Sequence, residues 1–241
     1  MNQTTMNNHL LNIQNELRRL SNKEIAEHSQ RFFKTGKGQY GEGDIFLGIR
    51  VPVLRKTAKK YQGISIDESA QLLKSKFHEG RLLSLLMLVA IFKKANSKDR
   101  KAIYTLYLGN TRFINNWDLV DSSAEHIVGA YLREVDKKPI YNLAKSRILW
   151  ERRISIMSTF HFIKYNEYVD SLRISKILLH DKEDLIHKAV GWMLREIGKR
   201  DIGAEEEFLK KYYKQMPRTM LRYSIEKFPE PKRQRYLKGQ V

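Results

Sequence analysis

The stretch Asn115-Asn116-Trp117-Asp118-Leu119-Val120-Asp121 holds the densest group of side chains that could do chemistry. An asparagine at 115 or 116 is a natural helix N-cap, which puts Asp118 in the first turn, where a carboxylate favours the helix dipole. That assigns Asp118 a structural role. Trp117 and Asp121 are four residues apart and share a helix face, with a broad aromatic surface beside a carboxylate one turn deeper. A core Trp beside a hydrogen-bonded Asp would show the same spacing, so the motif alone leaves a structural and a functional reading open. Further on, Trp150-Glu151-Arg152-Arg153 brings two arginines to a helix start, fit either for bidentate phosphate contact or for pairing with Glu151. Gly191-Trp192-Met193-Leu194-Arg195 puts Trp192 and Arg195 on one face, and Arg218 and Arg222 stack one turn apart after Pro217.

Other chemistries are excluded or unsupported. There is no cysteine, hence no disulfide, thiolate nucleophile or thiolate metal site. The seven histidines form no HExxH pair or clustered ligand spacing, so no metal is expected, and no GxSxG nucleophile elbow occurs. Gly36 to Gly48 holds five of the thirteen glycines, in GKGQYGEGDIFLG. Those glycines follow no strand and miss the Walker spacing, which favours a structured turn or small hairpin over a nucleotide site.

The elements that must position these residues are helices. Apolar residues recur at three- and four-residue spacing near 7–20, 22–34, 52–61, 67–77, 79–95, 98–108, 117–134, 139–145, 149–164, 167–179, 183–199, 204–215 and 217–228. Pro52, Pro139, Pro217 and Pro229 each open a stretch that reads as helical, where a missing N–H costs nothing. The more apolar helix of each pair aligns on Arg81, Asp118, Arg153, Lys188 and Met220, with offsets of 37, 35, 35 and 32. A period in the mid-thirties with two helices per unit predicts an α-solenoid of HEAT-like repeats in a single domain spanning 1–241. The 45 Lys and Arg against 27 Asp and Glu leave a net charge of +18 spread along the chain, which points to a polyanionic partner, nucleic acid ahead of membrane. The polar N-terminus and the short apolar runs predict a soluble, cytoplasmic protein.

Four segments carry a resemblance: FLGIRVP at 46–52, NNWDLVDSSA at 115–124, LWERRIS at 149–155 and HKAVGWMLRE at 187–196. Together they resemble the hallmark segments of the AlkD-like DNA alkylation repair family. The resemblance implies an all-α, right-handed, C-shaped stack of HEAT-like repeats with a basic concave face. It implies a monomeric glycosylase that removes N3- and N7-alkylated purines from duplex DNA without a base pocket and without a cofactor, working at the nucleoid. Mapped by motif, the catalytic carboxylate falls on Asp121, the groove tryptophans on Trp117 and Trp192, and the backbone-gripping arginines on Arg153 and Arg195. Arg50, Arg152, Lys188, Arg218 and Arg222 are further candidates for DNA contact.

The chain also departs from that pattern. Gly36 to Asp44 reads as an insertion, Phe32 stands where an aromatic hydroxyl is expected, Arg50 where a groove amide is expected, and Asp184 and Leu185 where an aromatic pair is expected. All of these touch DNA-contact positions. Two alternatives therefore stand beside the glycosylase: a non-enzymatic binder of branched or distorted DNA, and a protein-interaction scaffold.

Overall fold

A computed structural model describes residues 3–241, with side chains from residue 9 onward. The all-helical expectation is borne out: among the described residues there is no strand, and the one β-bridge, Ile45 to Phe77, is isolated. No helix among them is long and apolar enough to cross a membrane. The chain forms two compact units, one ending at Ser123 and the other beginning at Ala124.

The first unit contains α1 (Gln3–Arg19), α2 (Lys23–Phe32), α3 (Val51–Lys60), α4 (Ile66–Leu73), α5 (His78–Lys94), α6 (Ser97–Gly109) and α7 (Trp117–Asp121). Helix α5 is apolar on every side and accordingly buried on every side, with α3, α4, α6 and α7 packed around it. Its neighbour α4 starts with a capping box, in which Ser65 accepts from the Glu68 N–H and Glu68 accepts from the Ser65 N–H. The second unit begins with a π-helical segment, Glu125–Gly129, that runs into α8 (Ala130–Leu132). Then follow α9 (Lys138–Ala144), α10 (Leu149–Ile163), α11 (Val169–Ile177), α12 (Asp184–Gly198), α13 (Ile202–Tyr212), α14 (Arg218–Ser224) and α15 (Glu230–Leu237). Here α10 is the buried centre, flanked by the π segment and α12, and α12 in turn packs on α14. The second helices of successive pairs thus lie side by side, as a solenoid requires.

Recurring side-chain bonds set the repeat register. Ser84 Oγ donates to the Ser69 carbonyl at 2.6 Å, and Ser155 Oγ donates to the Ile140 carbonyl at 2.6 Å, each from the inner helix of a pair to its outer partner. Arg81 donates to the Ser75 and Lys76 carbonyls and pairs with Asp44, while Arg152 donates to the Ser146 and Arg147 carbonyls and pairs with Asp181. Arg81 therefore corresponds to Arg152, so the alignment of Arg81 with Arg153 is one residue out of register. Apolar periodicity alone does not settle such a shift, because on a helix buried on all sides every register looks apolar.

The stretch expected as one helix over 117–134 is broken. Ser123 Oγ turns back to the Leu119 carbonyl at 2.5 Å and meets the buried Tyr107 hydroxyl at 2.9 Å, which ends α7 at Asp121. The π segment ends on Gly129, where an added Cβ would lie 2.2 Å from the Ser158 carbonyl oxygen, so only glycine permits this approach to α10. The short 3-10 turn Thr111–Phe113 lies outside the expected segments, being too short to show a helical period, whereas α15 starts directly after Pro229, as that proline signals, although its polar sequence shows no apolar period.

Candidate functional site

In the first unit the site is built around the N-terminus of α7. Asn116 is the N-cap, its side chain accepting the Trp117 N–H at 2.8 Å. Asp118 is structural, as its place in the first turn suggested: one carboxylate oxygen accepts the Leu119 N–H at 2.9 Å and the other faces His78 Nε2 at 2.8 Å. Trp117 and Asp121, one turn apart on this five-residue helix, are both half-buried, neither sealed in the core nor fully exposed. Asp121 is near enough to the Tyr107 hydroxyl to work with burial in raising its proton affinity.

Trp117 is held by a stack of rings. Its indole lies 5.2 Å from the Phe33 ring at 20°, Phe33 lies 4.9 Å from Phe46 at 19°, and Phe46 lies 4.4 Å from the His78 imidazole at 23°. Phe32, at the end of α2, meets Trp117 edge-on at 6.0 Å and is 58% exposed. The absent hydroxyl noted at this position thus leaves an open apolar ring beside the indole.

Behind the stack sits a buried ionic network. His78, 2% exposed, places Nδ1 at 2.8 Å from Asp44 and Nε2 at 2.8 Å from Asp118. Burial works against the imidazolium, but the hydrogen bonds to Asp118 and Asp44 outweigh it and raise its pKa to about 9. Burial likewise pushes Asp44 up, and the hydrogen bond from His78 with the nearby Arg81 guanidinium, 2.6 Å away, holds it below its ordinary value. The adjacent Glu79 carboxylate accepts the N–H groups of Leu47, Gly48 and Ile49 at 2.8, 2.7 and 3.1 Å. The glycine-rich stretch is accordingly a series of turns pinned at its end by Asp44 and Glu79, and no hairpin forms among its described residues. A cavity of about 460 Å³ opens beside the network, with Phe33, Phe46 and Leu82 inside and Glu24, His28 and Arg50 at its rim. Arg50 is exposed there as the N-cap of α3.

In the second unit Trp192 is half-buried on α12, its indole N–H donating to Glu196 at 3.2 Å and its ring 6.1 Å from Phe160. Arg195, on the same face, is ion-paired with Glu226, and its buried Nε has no partner. Lys188 pairs with Asp184 at 2.7 Å on the surface. Arg218 is exposed and donates to the Leu237 carbonyl at 2.7 Å, and Arg222 is exposed.

Two of the arginines expected at phosphates are engaged within the protein. Arg153 is 5% exposed and donates inward to the Leu185 carbonyl. Arg152 is spent on Asp181, at 2.6 Å, and on two carbonyls of the turn before α10, while Glu151 accepts from the Ser146 hydroxyl. Both guanidiniums close the protein's own helix connections, so the energy of a phosphate contact would be offset by the loss of those bonds.

The residues that sequence reasoning missed are His78, Asp44, Glu79, Phe33 and Phe46. Histidine spacing in a sequence signals only local metal sets, whereas His78 meets partners 34 and 40 positions away. Only the FLGIRVP segment hinted at them, since it contains Phe46 and the amides that Glu79 holds.

The fold and these sites define an α-helical repeat protein with an aromatic and carboxylate pair at the end of one unit and an overall basic charge. The model of the family described as DNA alkylation repair enzyme matches residues 13–228, and the chain belongs to that family. A solved structure described as "Predicted DNA alkylation repair enzyme from Enterococcus faecalis" is similar in fold, with a TM-score of 0.67 at 15% identity over 87% of this chain and 97% of the other. No match to a curated protein is found.

Proposed function

We propose that this protein is a DNA glycosylase that hydrolyses the bond between deoxyribose and an N3- or N7-alkylated purine in duplex DNA. The observation that carries the reading is the pair Trp117 and Asp121, one turn apart on α7 and half-buried, in a family of DNA alkylation repair enzymes. An alkylated purine is cationic and departs as a neutral base with the electrons of the glycosidic bond. The sugar then develops oxocarbenium character. Asp121 stabilises that charge, orients the water whose oxygen bonds to the anomeric carbon and accepts the proton that water releases, while the indole face of Trp117 adds cation–π stabilisation. In the second unit, Trp192 and Arg195 are proposed to contact the DNA backbone, with Lys188, Arg218 and Arg222 as surface cations for phosphates, and Arg50 in the same role on the first. The net charge of +18 supports duplex DNA as the partner.

The test is release of 7-methylguanine from methylated duplex DNA. The wild-type chain is expected to release it, and Asp121→Asn to lose at least about 100-fold in single-turnover rate. Release by the variant at the wild-type rate would refute the role of Asp121. A second reading, binding of branched DNA without excision, is favoured by the exposed turns at 36–39 and by Arg50 in place of an amide. It predicts no base release together with preferential retention of a four-way junction over linear duplex in a gel shift.

A further inference from the structure

The buried histidine of the first unit has a role that the glycosylase reading does not use. Both ring nitrogens of His78 face carboxylates, Asp44 and Asp118, at 2.8 Å each. A neutral imidazole carries one N–H and one lone pair, and so would point that lone pair at one of two acceptors. Only the doubly protonated ring satisfies both. One hydrogen bond leads to the end of the glycine-rich stretch and the other to the first turn of α7. The flat of the same ring closes the stack through Phe46 and Phe33 to Trp117.

We propose that the His78 imidazolium is a positioning residue, which ties the glycine-rich segment to α7 through Asp44 and Asp118 and sets the placement of Trp117 and Asp121. This rests on the reading of Trp117 and Asp121 given above, and it assigns the insertion an internal task, the anchoring of the reactive helix. When His78 loses its proton, one of the two carboxylates faces a lone pair instead of a donor. The bridge opens on that side and the stack beneath Trp117 shifts. The transition belongs near pH 9, since the two carboxylates hold the proton to about that point. The charged groups facing His78 are Asp44 from the glycine-rich stretch, Glu79 and Arg81 from α5, and Asp118 from α7. Glu24 and His28 of α2, with Arg50 before α3, line the same cavity at its exposed rim. Glu79 is already held by three backbone amides, and Arg81 by Asp44 and two carbonyls. Neither is placed to replace the imidazolium as the link to α7.

The test uses the full chain labelled with 5-fluorotryptophan, whose three resonances are assigned by Trp117→Phe, Trp150→Phe and Trp192→Phe. In 19F spectra from pH 6 to 10.5, the Trp117 resonance is expected to move through one transition centred near pH 9. Trp150 and Trp192, in the other unit, should stay in place. Asp118→Asn removes one of the two carboxylates that hold the proton, so the Trp117 midpoint should fall by about one pH unit or more, while His78→Gln should abolish the transition. A Trp117 resonance that does not titrate, or one that titrates identically in Asp118→Asn, overturns the proposal. Should His78→Gln fail to fold, the Asp118→Asn midpoint alone decides. Base release read on the same samples separates the two ideas. Absence of release in the wild type defeats the glycosylase reading while the 19F transition still stands or falls on its own. With release present, its rate should decline above pH 9 and the decline should move to lower pH in Asp118→Asn.

Discussion

Replacing His78 with Gln perturbs the stability of the first unit in a way that depends on pH, with a sign that the structure dictates. The imidazolium pKa rises from 6.5 to about 9 on folding, which corresponds to about 3 kcal/mol in favour of the folded state. Because the folded value lies above the unfolded one, that contribution is complete below pH 6.5 and is lost as pH rises through about 9. The variant also leaves Asp44 and Asp118 without the cation between them, so at pH 6 the total penalty should reach about 3–5 kcal/mol. The assay is urea unfolding at pH 6, 7.5, 9 and 10, followed by the 19F resonance of Trp117 so that only the first unit is read. The difference between wild type and His78→Gln should be largest at pH 6 and should shrink by about 3 kcal/mol by pH 10. The difference is the informative quantity, because burial also raises Glu205 in the second unit to about 8, and that group too lowers whole-chain stability as pH rises. A difference that stays flat from pH 6 to 10, or that grows, would refute the doubly protonated bridge.

Two further outcomes follow from close contacts on the two units. Gly48 has φ of +79° and an added Cβ would lie 2.0 Å from the Asn22 carbonyl oxygen, so Gly48→Ala should destabilise the first unit by at least about 2 kcal/mol in the same urea assay. Arg195 is already neutralised by Glu226, so Glu226→Gln should release it for phosphate. Duplex affinity should rise by about 2- to 5-fold, and the slope of log affinity against log salt should steepen by up to about 0.9 in a filter-binding titration. An unchanged slope would remove Arg195 from the proposed phosphate contacts.

Helix positions, the period of the repeats and the basic balance were legible in the sequence because each depends on local spacing or on composition. Proline at helix starts and the Asn116 cap belong to the same category, since their effects reach only a few residues along the chain. The candidate pair Trp117 and Asp121 was also visible, as two residues one turn apart need no tertiary partner to share a face. The register of Arg81 with Arg152, the break after Asp121 and the inward turn of Arg153 were decided by the tertiary structure. Each depends on which carbonyl or hydroxyl of another helix lies within hydrogen-bond reach. The same holds most strongly for His78. A lone histidine at the head of an apolar helix has no periodic signature, and its charge exists only because folding brings two carboxylates to opposite sides of one ring.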